Sequence, residues 1–268
     1  MLGVYEKSMP EGFTVKEKLC TAKAAGFDFM EISIDETEAK LSRLYDPSFI
    51  SQLKRDIAES EFPVLTMCLS GHRKYPLGTE NSQNGQKALE IMAKAIEFAL
   101  NVGIRIIQIA GYDEYYGESN ENTRILFLER LQECVRMASE KGVVLGFETM
   151  ETPFMNTVAK SMRYVNLINS PYLQIYPDIG NVTNGAADAL QDLRSGKGHI
   201  VAAHLKETQQ GVYRNLFFGE GRVDFQGCIA ELKAQGVRFY NCEFWYDGVS
   251  IPLEYLRRAR NFFRDLGL

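Results

Sequence analysis

Four polar residues interrupt runs that are otherwise apolar: Glu148 in Gly146-Phe147-Glu148-Thr149, Asp178 in Tyr176-Pro177-Asp178-Ile179, His204 in Ala202-Ala203-His204-Leu205 and Glu243 in Asn241-Cys242-Glu243-Phe244. A charge set in apolar chain is costly to bury alone, so each of the four demands a partner. A single acidic residue at a strand end ordinarily makes a salt bridge or caps a helix, and a single histidine is ordinarily a satisfied core residue. Four such residues on four successive strands are another matter. Three carboxylates and an imidazole brought to one point form a hard, oxygen-rich donor set suited to a divalent cation: Mn2+, Mg2+, Co2+ or Zn2+.

The elements that must bring them together repeat along the whole chain. Strand-like runs occur at Leu2–Tyr5, Phe27–Ile34, Val64–Leu69, Arg105–Ala110, Val143–Thr149, Leu173–Asp178, Ile200–Leu205 and Phe239–Phe244. Several are apolar at consecutive positions, as parallel strands covered on both faces by helices are. Between them lie amphipathic segments. In Gln86–Val102, Ala88, Leu89, Met92, Ala95, Ile96, Ala99 and Leu100 fall at helical spacing, and Arg124–Lys141 repeats the scheme with Leu128, Leu131, Val135 and Ala138. Gly26, Gly103, Gly142 and Gly236 each stand where a helix would stop before the next strand, a position that favours a left-handed residue.

The repeat is about 30 residues long, the size of a βα unit. No Pro/Gly/Ser-rich linker divides it. These features predict an α/β fold: a single (β/α)8 TIM barrel in which residues 1–268 form one domain, with active residues at the carboxyl ends of the strands. The competing doubly wound sheet would carry a glycine-rich phosphate turn after its first strand. The chain has Glu6-Lys7-Ser8-Met9-Pro10 there.

Composition narrows the function further. With 30 basic and 35 acidic residues the net charge is −5, which lacks the basic footprint of a nucleic-acid binder. The five cysteines (Cys20, Cys68, Cys134, Cys228, Cys242) show no C-x-x-C spacing, so reduced thiols and a cytoplasmic location are expected. The amino terminus lacks the apolar core of a signal peptide, and no apolar run approaches the ~20 residues that span a bilayer. The expected partner is a small molecule, with neither nucleic acid nor membrane. Homo-oligomerisation is left open.

Six segments together carry a resemblance: Cys68-Leu69-Ser70-Gly71-His72-Arg73, Gln108-Ile109-Ala110-Gly111-Tyr112-Asp113, Thr152-Pro153-Phe154-Met155-Asn156, Tyr176-Pro177-Asp178-Ile179-Gly180-Asn181, Ala203-His204-Leu205-Lys206 and Phe218-Gly219-Glu220-Gly221. The chain resembles, from Leu2 to its last helix, the L-ribulose-5-phosphate (L-xylulose-5-phosphate) 3-epimerase family of the xylose-isomerase-like barrels. The resemblance implies that Glu148, Asp178, His204 and Glu243 hold a metal ion. It further implies that Glu148 and Glu243 exchange the C3 proton of a ketopentose 5-phosphate through an enediolate, one carboxylate taking a proton and the other returning one.

Two candidates present themselves for the phosphate. One is His72 with Arg73, on the turn after the third strand, across the barrel mouth from the metal strands, where arginine suits bidentate phosphate binding. The other is Gly219–Asp224, whose free amides at a helix entry could hold an anion. Lys206 is expected to touch the sugar or Glu207. Glu151, where the family usually has aspartate, and Asn181, where unphosphorylated ketose epimerases have histidine, are expected to contact the substrate. Lys206–Phe218 looks shorter than in the best-known members, so the loop closing over substrate differs. Trp245 and Tyr112 are assigned equally to pocket wall and to core. A sugar-phosphate aldose–ketose isomerase of the hexulose-6-phosphate type shares the enediolate and stands as the alternative. An abasic-site endonuclease would call for several metals, more than three histidines and a basic groove.

Overall fold

In sequences such as Met30-Glu31-Ile32-Ser33-Ile34, successive side chains of a strand point to opposite faces. The computed structural model, which describes residues 1–268, shows what each face meets. Its strands are β1 (Leu2–Tyr5), β2 (Phe29–Ile34), β3 (Val64–Leu69), β4 (Ile106–Ala110), β5 (Val144–Glu148), β6 (Leu173–Ile175), β7 (Ala203–Leu205) and β8 (Tyr240–Cys242). All pairings are parallel, from β1 stepwise to β6 on one side and from β1 through β8 to β7 on the other. Parallel bridges Ile175↔Ile200 and Asp178↔His204 join β6 to β7 and close the (β/α)8 ring.

Met30, Ile32, Ile34, Met67, Leu69, Ile107, Ile109, Leu145 and Phe147 belong to a cluster of 59 buried apolar residues shared with the surrounding helices. Among the intervening, inward-facing positions, Glu31, Ser33, Thr66 and Gln108 are polar and buried. Glu31 of β2 bonds Thr66 of β3, His204 of β7 and Asn241 of β8 across the barrel interior. The strands are therefore buried on both faces, as expected, but only the outer face is apolar. The floor of the mouth is a polar network.

The strands begin where predicted to within a few residues, and β7 ends at Leu205 as predicted, but β6 and β8 stop early. β6 ends at Ile175 rather than Asp178 because Pro177 has no N–H to continue the ladder, and its carbonyl accepts from His204 N instead. Asp178 and Glu243 thus lie just past their strands. Helices run outside: Ser82–Val102 starts four residues before the predicted edge, where Asn81 accepts from Asn84 N, and Glu121–Lys141 starts at the capping box of Asn120 with Thr123. Gly26, Gly103, Gly142 and Gly236 all have positive φ, between 68 and 94°. No helix is long and apolar enough to cross a membrane.

His72 belongs to this framework. It sits on the short turn Gly71–Arg73 after β3, is 3% exposed, and its Nε2–H donates to the Ala88 carbonyl of helix Ser82–Val102. Burial pushes its imidazole down to about 4. A histidine whose folded pKa is depressed gives its full stability above its unfolded pKa of ~6.5 and loses it as pH falls through the folded value. The expected outcome is a loss of up to about 3 kcal/mol between pH 6.5 and 4, and a shallower loss in His72→Gln. Urea unfolding at stepped pH measures both slopes.

Candidate metal centre

β5 carries Glu148 at its carboxyl end, β7 carries His204, and Asp178 and Glu243 follow β6 and β8. One donor atom from each of the four lies within 4.8 Å of all the others. All four are buried, Asp178 and His204 completely. His204 Nδ1 stands 3.1 Å from Glu243 Oε2 and 3.4 Å from Glu148 Oε1. Lys206 Nζ lies 2.8 Å from Asp178 Oδ2 and 3.7 Å from Glu243 Oε2, yet neither oxygen accepts a well-formed hydrogen bond.

The electrostatics follow from crowding three carboxylates in a dry site. Burial pushes the carboxyl groups of Glu148 and Asp178 up. Burial also acts on Glu243, but Lys206 and His204 outweigh it and hold that carboxyl well below its usual range. Burial disfavours the charged His204, and Glu31 and Glu243 more than reverse this. A divalent cation fits such a donor set: it would replace the protons and satisfy the orphaned Asp178 Oδ2 and Glu243 Oε2.

Above the cluster is a cavity of about 50 Å3 whose wall includes Lys7, Ser70, Arg73, Glu151, Asn181, Lys206, Arg214 and Trp245. A larger cleft of about 590 Å3, among Tyr115, Arg124, Phe154 and Tyr164, contains none of the four cluster residues. Arg73 stacks 4.6 Å over Tyr115, has a buried Nε without a partner, and reaches Glu36 only at 3.8 Å. Asn181 anchors itself by donating Nδ2–H to Thr149 O, leaving a buried Oδ1 free. Glu151 is held at the rim by the Tyr115 hydroxyl and, at 3.8 Å, by Arg214, which lies over Trp245.

Several sequence-based expectations are corrected. His72 points into the barrel wall and does not line the cavity. Lys206 pairs with Asp178 rather than Glu207. The amides of Gly219 and Val223 are not free, because the buried Glu207 carboxylate accepts from both. Tyr112 is core, 1% exposed, whereas Trp245 is pocket wall.

Sequence reasoning missed Glu31, Lys7 and Arg214. Glu31 was visible as a lone charge inside the apolar run Phe29–Ile34. Lys7 follows β1, at the same end of the barrel as the four candidate ligands. Arg214 had no comparable signal, since a basic residue in a polar loop is unremarked.

A family description, xylose isomerase-like TIM barrel, matches residues 20–266. The chain is 45% identical over 265 residues to the L-ribulose-5-phosphate 3-epimerase UlaE of Salmonella paratyphi C (strain RKS4594), covering 98% of this chain and 93% of that one. Among solved structures it is similar to an L-ribulose 3-epimerase (TM-score 0.83, 17% identity, 99% of this chain and 93% of that one). It is also similar to the IolI protein with a bound zinc atom (TM-score 0.79, 17% identity, 99% and 97%).

The cluster generates its own test. Protein stripped with chelator should gain thermal stability on adding Mn2+ or Co2+, by about 2.7 kcal/mol when the free ion reaches 100 times its Kd. Affinity should fall as pH is lowered, because the ion competes with protons on Glu148, Asp178 and His204. Asp178→Asn should weaken binding by at least ~10-fold. Thermal melts read the first of these, and calorimetric titration the other two.

Proposed function

Since the chain belongs to the xylose isomerase-like TIM barrels, and within them to the L-ribulose-5-phosphate 3-epimerase family, we propose that it epimerises a ketopentose 5-phosphate of the L-ribulose/L-xylulose type at C3. The observation that carries the substrate assignment is the polarity of the cavity. Glu148 and Glu243 line its floor, over Asp178 and beside Lys206, while three cations, Lys7, Arg73 and Arg214, and one carboxylate, Glu151, line its rim. A sugar phosphate has the matching polarity: hydroxyl and carbonyl oxygens at one end, a dianion at the other.

When bound, a divalent cation supplies Lewis-acid polarisation of the ketose carbonyl. The rest of the chemistry belongs to side chains. Glu148, at the end of β5, and Glu243, just past β8, both line the cavity, so a ketose seated there would meet a carboxylate from each. One carboxylate removes the C3 proton, and the electron pair of that C–H bond moves to give an enediolate with its charge on the C2 oxygen. The other carboxylic acid returns a proton to the opposite face. Which glutamate acts as base depends on which epimer binds, and no redox change occurs.

Asp178 and His204 would chiefly hold the ion. Lys206, whose burial is outweighed by Asp178, Glu243 and Glu148 so that it stays charged, offsets the excess negative charge. Asn181 Oδ1 is placed to accept from a sugar hydroxyl. Arg73 takes the phosphate, aided by Lys7 and Arg214, and Glu151 steers Arg214. The cavity of about 50 Å3 holds one or two waters rather than a pentulose phosphate, so Arg214 and its loop swing outward to admit substrate.

The purified, metal-loaded protein should interconvert L-ribulose 5-phosphate and L-xylulose 5-phosphate. Arg73→Ala should raise KM for the phosphorylated ketose by roughly 10- to 150-fold, the loss of one charge-assisted contact of ~1.5–3 kcal/mol, and leave the unphosphorylated ketose little changed. Equal effects on both substrates would remove Arg73 from the phosphate site.

A further inference from the structure

Glu31 lies at the centre of β2, 0% exposed, and its carboxylate accepts four hydrogen bonds from three other strands and the segment after a fourth. Thr66 Oγ1 donates to Oε2 at 2.7 Å and Tyr176 OH to the same oxygen at 2.9 Å. Asn241 Nδ2 donates to Oε1 at 2.9 Å, and His204 Nε2 to the same oxygen at 2.6 Å. An acceptor-only group surrounded by four donors has one consistent arrangement, with the proton of His204 on Nε2. That leaves Nδ1 as the nitrogen facing Glu148 and Glu243. The Gln108 amide reaches Nδ1 only at 3.4 Å, too long to hold it.

We infer that Glu31 is the positioning residue of the centre: it sets the tautomer and ring orientation of His204 so that Nδ1, not Nε2, is offered to the cation, and Thr66, Tyr176 and Asn241 clamp Glu31 for that task. The inference rests on reading the four-residue cluster as a cation site. A carboxylate that accepts from the far nitrogen of a ligating imidazole makes that imidazole a stronger and better-aimed donor. The alternative role is structural: Glu31 would tie β2 to β3, β7 and β8, with no bearing on the ion.

The two roles separate in Glu31→Gln and Glu31→Met. Glutamine keeps an acceptor for His204 and Asn241, and its NH2 can donate to the Thr66 and Tyr176 hydroxyls, which can rotate to accept. It removes the charge alone. Methionine keeps the length and removes the acceptor. Co2+ titration of the metal-free proteins should give a Kd raised about 10-fold in Glu31→Gln and about 100-fold in Glu31→Met.

In the Zn2+-loaded wild type, long-range 1H–15N correlation should show His204 protonated at Nε2 with Nδ1 shifted by the metal. That signature should persist in Glu31→Gln. A purely structural Glu31 would lower the melting temperature of the metal-free variants and leave Kd unchanged, and that result overturns the inference. Zinc on Nε2 in the wild type overturns it equally. If Glu31→Met does not fold, an unchanged Kd in Glu31→Gln decides against it. A wild-type protein that binds no Co2+ is a different failure, because it removes the cation site itself.

Discussion

Crowding three carboxylates around one imidazole in a dry barrel mouth is the constraint on which the rest of the structure turns. At donor separations within 4.8 Å, ionised carboxylates repel strongly, and the low-dielectric interior screens little of that repulsion. The chain meets the problem with one buried ammonium, Lys206, with burial pushing the carboxyl groups of Glu148 and Asp178 up, and with a histidine drawn toward its charged form. None of these satisfies Asp178 Oδ2 and Glu243 Oε2 as acceptors. A divalent cation would do so in one step.

Beneath and beside the cluster, the fold holds its parts at fixed heights. The polar inner face, with Glu31 at its hub, fixes the floor. At the rim, Glu6 is completely buried and accepts from Lys18, Lys40 and Arg43, as well as from the Ser33 amide. Burial alone would push its carboxyl up, but the three cations hold it far below the usual range. This knot locks the turn after β1, from which Lys7 projects to the cavity wall beside Asp35. The opposite rim is looser, since Arg214 is about half exposed and bound only by a 3.8 Å ion pair and an aromatic face.

Much of this was legible in the sequence. Eight apolar runs separated by amphipathic segments specify helix-covered parallel strands, and Glu6-Lys7-Ser8-Met9-Pro10 in place of a glycine-rich turn favours the barrel over the doubly wound sheet. The four candidate ligands stood out because each breaks an apolar run at its carboxyl end, and the structure brings those four together. Glu31 broke a run just as plainly but in mid-strand, where strand-end reasoning does not look. Read with period two, Glu31-x-Ser33, Thr66-x-Cys68 and Gln108 would have shown a polar inner face. Orientation was harder. Nothing in Ser70-Gly71-His72-Arg73 says that His72 turns into the wall toward Ala88 while Arg73 turns to the cavity, since that depends on where helix Ser82–Val102 docks. The glycine-rich Gly219–Asp224 offered free amides on paper, and the distant Glu207 takes them in the fold.

The central claim is that two glutamates exchange the proton at C3 of a pentulose 5-phosphate, and deuterium NMR tests it most directly. In D2O the metal-loaded wild-type enzyme should place deuterium at C3 of both L-ribulose 5-phosphate and L-xylulose 5-phosphate, and nowhere else. Metal-loaded Glu148→Gln and Glu243→Gln should each lose epimerisation and retain C3 exchange from one epimer only, the two variants preferring opposite epimers. Deuterium at C1 would mark an aldose–ketose isomerase instead, and a Gln variant that still interconverts the epimers at near wild-type rate would contradict the two-glutamate account.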